Sequence, residues 1–308
     1  MRAVTYNRQG GPEVIEVLDL PDPAPGAGEV LVRVTAATIN PADVALMSGA
    51  YGPVPDYVTL PAIPGWDLAG TVEGIGAGVD TGLLGAYVLG YSQWMGTGAG
   101  TQAELVVLPA GNVVPADGKV AAPELSTVAL NGLTALRALD IASVAEGTTV
   151  LVTGAAGGVG GFTVELAAHR GATVFALAGE NDREAVLGFG AAEFVDRAGD
   201  AAAQVRAVIP EGVDVVVDTA PVGDSIDGVR RDGGRFASVR NAGEHDRGIV
   251  GKRVGVQPDH DQLALLAELA GGGTLSLRVA ATYPVEQARA AYQDFLAGGN
   301  RGRVVITF

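Results

Sequence analysis

Residues 149–153 read Thr-Val-Leu-Val-Thr, and the chain then runs Gly154-Ala155-Ala156-Gly157-Gly158-Val159-Gly160. An apolar run that breaks into glycine can hold an anion with its backbone alone. Gly157 leaves room for a pyrophosphate to approach the main chain, Gly160 lets the next helix pack close to the strand, and the first N–H groups of that helix face the negative charge. The contacts expected for a dinucleotide therefore come from Gly154, Ala155, Gly157, Gly158, Val159 and Gly160. Glycine turns also serve as plain connectors, so the flanking pattern decides. Here the spacing predicts a helix over 162–170 with Phe162 and Leu166 on one face, Gly171 as its stop, and a second buried strand over 172–178. Strand, turn, helix and strand follow at the intervals of a nucleotide-binding unit.

What the sequence lacks narrows the remaining chemistry. There is no cysteine, and the histidines are His169, His245 and His260, at no ligand-like spacing. Disulfides, thiol nucleophiles and thiolate metal sites are excluded, and no metal site is expected. A formal charge of −15 argues against nucleic acid or an anionic membrane as partner. No apolar run is long enough to span a bilayer, and the opening Met1-Arg2-Ala3-Val4-Thr5-Tyr6 has the pattern of a first strand rather than a signal peptide. A cytoplasmic enzyme is expected.

The elements that must position these residues follow from periodicity. At 308 residues, 48% of them hydrophobic, the chain is long enough for two domains with cores of their own. Up to residue 123, short Val and Leu runs over 29–36, 70–75, 86–91 and 105–108 are punctuated by glycine and proline, as in a β-rich domain. Helical periodicity resumes over 125–138. Past the glycine turn, helices over 183–189 and 201–209 alternate with strands over 193–195, 213–218 and 233–239. Such alternation implies an α/β, doubly wound parallel sheet covered on both faces. A helix over 262–270 precedes the break Gly271-Gly272-Gly273, and the tail reads as strand 277–280, helix 285–296 and strand 303–308. The expected organisation is a β-rich catalytic domain over 1–123, a nucleotide-binding Rossmann-type domain over 124–273, and a return to the first domain over 274–308, with the cleft between them as the natural site.

Several blocks, in this order, resemble the zinc-free quinone oxidoreductase branch of the medium-chain dehydrogenase/reductase superfamily. They are Ile39-Asn40-Pro41-Ala42-Asp43 with Ser48-Gly49-Ala50-Tyr51, then the stretch from Pro61 to Val72, then Asn131-Gly132-Leu133-Thr134-Ala135, the glycine turn, and Gly302-Arg303-Val304-Val305. The resemblance implies a GroES-like catalytic domain into which the Rossmann-type domain is inserted, and a homodimer. Where zinc-dependent relatives carry a cysteine and a His-Glu pair, this chain has Asn40-Pro41 and Trp66-Asp67.

The resemblance also implies roles. Tyr51 is the expected proton or hydrogen-bond donor, Asn40 the contact to the nicotinamide ribose or substrate oxygen, and Thr134 a contact on the nicotinamide side. NAD-selective sites place a carboxylate at the end of the second strand. Here that strand ends Ala176-Leu177-Ala178-Gly179, which leaves room for a 2′-phosphate beside Gly179, and Arg183 stands where NADPH-using members carry a basic residue. Glu180 and Asp182 count against this, yet NADPH is expected over NADH. Tyr91 to Gly96 places Trp94 and Met95 in a loop where a flat acceptor would stack or which would only seal contacts. Arg240, Lys252 and Arg253 read either as helpers at the cofactor phosphate or, more simply, as surface charge.

Without metal or thiol, hydride transfer needs an acceptor that is already activated, which points to a quinone or an α,β-unsaturated carbonyl compound. A 2-enoyl thioester reductase is the nearest alternative, though no basic mouth for a phosphorylated arm is evident. The third reading is a non-catalytic NADPH-binding protein with a structural or regulatory role.

Overall fold

The computed structural model describes residues 1–56, 58–220, 226, 228–239, 252–253 and 255–308. The chain divides into two compact units: Met1–Leu130 with Gln257–Gly273 and Leu277–Phe308, and Asn131–Val256 with Thr274–Ser276.

In the first unit, β1 (Arg2–Thr5) and β2 (Glu16–Asp19) form an antiparallel pair. β3 (Glu29–Thr38) turns Val30, Val32 and Val34 inward, as a strand with one face in solvent must. α1 (Pro41–Met47) follows at once, with Asn40 at its N-cap and Pro41 in its first turn, where the missing N–H costs nothing. β4 (Asp67–Ile75), β5 (Tyr87–Tyr91), β6 (Leu105–Pro109) and β7 (Val113–Pro115) extend the sheet: β3 pairs with β4 and β6, β4 with β5, and β5 with β7, all antiparallel. The short helix α2 (Trp94–Thr97) lies between β5 and β6.

The single helix expected over 125–138 is two helices, α3 (Ala122–Leu125) and α4 (Ala129–Ile141). Ser126 Oγ donates to the Pro123 carbonyl at 2.9 Å and Thr127 Oγ1 to that of Glu124 at 2.7 Å. Side chains that bond the preceding turn in this way compete with continuation of the helix.

α4 leads into the second unit. Here β8 (Thr149–Thr153), α5 (Gly158–His169), β9 (Thr173–Ala178), α6 (Arg183–Gly188), β10 (Glu193–Asp196), α7 (Ala201–Val208), β11 (Val213–Asp218), β12 (Arg230–Ser238) and β13 (Lys252–Arg253) alternate as the periodicity requires. The strands form one parallel sheet in the order β10-β9-β8-β11-β12-β13. Val150, Leu151 and Val152 of β8 are wholly buried, which is why that strand is a continuous apolar run. The strand order reverses between β8 and β11, and that is the switch point where ligands bind in such sheets.

The chain then returns to the first unit earlier than expected. α8 (His260–Gly271), read from sequence as part of the nucleotide-binding segment, belongs to the first unit and packs on β7. Its buried Leu263, Leu266, Ala267 and Ala270 form one apolar face, and the His260 ring lies 3.1 Å from the Gly111 carbonyl. β14 (Val279–Pro284), α9 (Ala288–Ala297) and β15 (Arg303–Thr307) complete the unit, with β15 antiparallel to β3. The architecture is a Rossmann-type parallel sheet inserted in a β-rich domain. No helix among the described residues is long and apolar enough to cross a membrane.

Candidate functional site

The glycine turn joins β8 to α5. Gly154 has a φ of +58°, and a methyl group there would meet the Ala220 side chain at 2.6 Å. A methyl group on Gly160 would lie 2.0 Å from the Gly154 carbonyl, so helix and turn meet with nothing between them. Gly157 is the exposed N-cap of α5, and nothing but the Gly154 carbonyl lies near its missing side chain. Its Cα is therefore open to an incoming group, beside helix N–H groups that no intrahelical carbonyl can satisfy. Ala155 is buried beneath the turn and its N–H donates to the Leu177 carbonyl at 3.2 Å, while Gly158 and Val159 begin α5.

A network that sequence reading missed holds this turn in place. Thr153 Oγ1 donates to Asp218 Oδ1 at 2.7 Å, Ser238 Oγ to Asp218 Oδ2 at 3.1 Å, and Thr219 Oγ1 to the Thr153 carbonyl at 2.6 Å. The carboxyl ends of β8, β11 and β12 are thus tied together where the ligand crevice of the sheet opens. Only the Thr at the end of one apolar strand and the Asp at the end of another signalled it.

At the end of β9, Gly179 is followed by a short turn. Arg183 donates from Nε and Nη2 to the two carboxylate oxygens of Glu180, at 2.7 and 2.9 Å, and its guanidinium sits 4.0 Å over the Phe194 ring. That bond holds the Glu180 carboxyl below the usual carboxylate range. Arg197, which sequence reading passed over, lies beside Gly179: a methyl group on that glycine would stand 3.4 Å from the Arg197 guanidinium.

In the first unit, a buried polar cluster joins α1 to β4. Asn40, Asp43 and Asp67 are all fully buried. Asp43 Oδ2 accepts the Asn40 N–H at 2.9 Å, closing the cap of α1, while its Oδ1 accepts the Gly65 N–H and Trp94 Nε1, each at 3.0 Å. Asn40 Nδ2 donates to Asp67 Oδ2 at 2.6 Å, and the Leu130 N–H donates to Asp67 Oδ1. Burial pushes the Asp43 carboxyl up to about 7 and that of Asp67 up to about 6, against the donors that hold them down. Desolvation lowers the guanidinium of half-buried Arg303 to about 10, against the opposing charge of Asp67.

Trp94 is wholly buried, with its ring N–H on Asp43, so of the two readings of the 91–96 loop the packing one holds for this residue. Tyr51 lies just past α1 and is 55% exposed. Thr134 stands inside α4, nearly buried. Arg240 lies outside the described residues, and for Lys252 and Arg253 only the strand β13 is described.

Residues 26–118 match the family described as Alcohol dehydrogenase GroES-like domain, and residues 189–306 the family described as Zinc-binding dehydrogenase. The quinone oxidoreductase of Lama guanicoe is 30% identical over 327 residues, covering 99% of this chain and 97% of its own. The chain belongs to the quinone oxidoreductase family of the medium-chain dehydrogenases/reductases. Among solved structures, the quinone oxidoreductase from Coxiella burnetii aligns with a TM-score of 0.88 at 25% identity, over 100% of this chain and 99% of that one. An NAD-dependent alcohol dehydrogenase aligns with a TM-score of 0.87 at 28% identity, over 100% of both chains. Members of this family are oxidoreductases, and the Rossmann-type unit implies a nicotinamide cofactor.

The family's dinucleotide fits the residues present, for the glycine turn is a cradle that any side chain at Gly157 would begin to fill. Zinc does not fit. A catalytic zinc takes three protein ligands, and no group of three His, Cys, Asp or Glu among the described residues is placed to hold a metal. The Asn40 amide and Asp67 carboxylate are bonded to one another.

Proposed function

We propose that this protein reduces a quinone or an α,β-unsaturated carbonyl compound with NADPH and without a metal, as a cytoplasmic homodimer. The observation that carries the reading is the buried Asn40–Asp67 hydrogen bond of 2.6 Å, between residues that by sequence resemblance replace the metal ligands of zinc-dependent relatives. A catalytic domain built this way offers hydrogen bonds rather than a metal, so its acceptor must be electrophilic before it binds. A bound nicotinamide supplies the hydride. The chain's own residues bind, orient and protonate. Tyr51, exposed and without a hydrogen bond from its hydroxyl to any described residue, is the donor to the acceptor oxygen or the carbanion that follows hydride arrival. Asn40 and Thr134 steady the nicotinamide end, the residues from Gly154 to Gly160 hold the pyrophosphate, and the missing carboxylate at the end of β9 favours NADPH.

NADPH consumption by the purified protein, followed by the loss of reduced-nicotinamide absorbance against naphthoquinones, small enones and enoyl thioesters with NADH in parallel, tests this reading. Turnover with quinones or enones is the expected result. Turnover with enoyl thioesters alone would make it a 2-enoyl thioester reductase, and tight NADPH binding with no turnover would make it a non-catalytic NADPH-binding protein.

A further inference from the structure

In this fold the adenosine ribose of a dinucleotide lies at the end of the second strand of the sheet, so the surroundings of Gly179 decide between a 2′-hydroxyl and a 2′-phosphate. Two arginines lie near that strand end, and they are differently engaged. Arg183 has two donors on Glu180 and one face over the Phe194 ring. A guanidinium whose Nε and Nη2 already meet a carboxylate has its charge paired there, and only the donors on its other edge remain for a phosphate. Arg197 follows β10, and its backbone N–H donates to the Ala178 carbonyl at 2.9 Å. Its guanidinium lies against Gly179, where a methyl group would stand 3.4 Å from its Cζ, Nε and Nη2. That guanidinium is exposed and makes no hydrogen bond or ion pair with a described residue.

We propose that Arg197 binds the 2′-phosphate and sets the cofactor preference, and that Arg183 is a positioning residue acting through Glu180. Glu180 follows Gly179 directly; left alone, its carboxylate would accept from a ribose 2′-hydroxyl and repel a 2′-phosphate. Arg183 occupies both of its oxygens and cancels its charge. One arginine attracts the phosphate while the other silences the residue that opposes it. This inference rests on the NADPH reading above.

Calorimetric binding of 2′,5′-ADP and 5′-ADP to the full chain separates the roles, because both ligands probe only the adenosine end. The unaltered protein should bind 2′,5′-ADP about tenfold more tightly or better. Arg197→Gln should weaken 2′,5′-ADP by about tenfold to a hundredfold, the loss expected for a charge-assisted contact, and leave 5′-ADP within about twofold. Arg183→Gln should weaken 2′,5′-ADP while Glu180 is present and do nothing in a Glu180→Gln background, since a residue acting through another loses its effect with it. Unchanged 2′,5′-ADP binding in Arg197→Gln overturns the assignment of the phosphate, and an Arg183→Gln loss undiminished by Glu180→Gln overturns the positioning role; either leaves the NADPH preference standing. Equal binding of the two ligands by the unaltered protein overturns that preference and this inference together.

Discussion

Tyr51 is the residue on which the proposed chemistry turns. Its phenol is in solvent contact, in the turn just past α1, where its backbone N–H donates to the Ala45 carbonyl of that helix at 3.3 Å while its hydroxyl remains available. Tyr51→Phe removes that hydroxyl and little else. Turnover on enones should fall by ~10²-fold with KM nearly unchanged, the signature of a lost general acid; steady-state kinetics with unchanged kcat would remove Tyr51 from the mechanism. Asn40 has a different standing. With its Nδ2 on Asp67 and its side chain fully buried, Asn40→Leu leaves a buried carboxylate short of a donor and should cost roughly 1–3 kcal/mol in urea unfolding.

At the scale of elements, two junctions hold the site residues. The first is the contact of α5 with the glycine turn: because a methyl group at Gly160 would stand 2.0 Å from the Gly154 carbonyl, Gly160→Ala must push the helix away from the strand. We expect a loss of about 1–3 kcal/mol, as for overpacked cores, and a weakening of NADPH binding beyond about tenfold, read by fluorescence titration. The second is the start of α1. Asp43 there accepts from the Asn40 N–H, the Gly65 N–H and the Trp94 indole, and so joins the helix cap to the β4 approach and to the loop beyond β5. Asp43→Ala strands three buried donors and should destabilise the protein by roughly 3 kcal/mol or more, measured by denaturant unfolding. The spacing of Asn40 and Asp43 marks a capping box, but the two remote donors are visible only once the approach to β4 and the helix α2 are in place.

For the whole molecule, the buried carboxyls make stability depend on pH in an unusual direction. Asp43 and Asp67 start from an ordinary value of 3.8 and are raised by burial to about 7 and about 6. A folded state that holds a proton more tightly than the unfolded chain is stabilised where that proton is bound, so their contribution is complete below the ordinary value and is lost as pH rises through the raised ones. Glu13, Glu104, Glu180 and Asp214 are lowered instead and act in the opposite sense, below their ordinary values of 4.5 for Glu and 3.8 for Asp. Between about pH 5 and pH 8 the buried pair governs. The midpoint of urea unfolding should therefore fall as pH rises across that window, and a midpoint that rises instead would show that both carboxyls are ionised without penalty in the folded protein.

The sequence by itself determined what depends on local pattern. The apolar run of β8, the glycines after it, the alternation of strands and helices through β11, and the ordered blocks around Asn40, Pro64 and Thr134 were legible because strand burial, a left-handed turn and helix packing each select residue types within a few positions. What only the tertiary structure decided concerns partners far apart in the chain. Asn40 and Asp67 are 27 positions apart and Thr153 and Asp218 are 65 apart, and no periodicity links either pair. The same holds for α8, whose apolar face is equally consistent with either unit until β7 is there to receive it. Arg183 and Arg197 look alike as letters. The fold turns the first toward Glu180 and lays the second along Gly179, because side-chain commitments are settled by which charges and rings the packed backbone brings within hydrogen-bond reach.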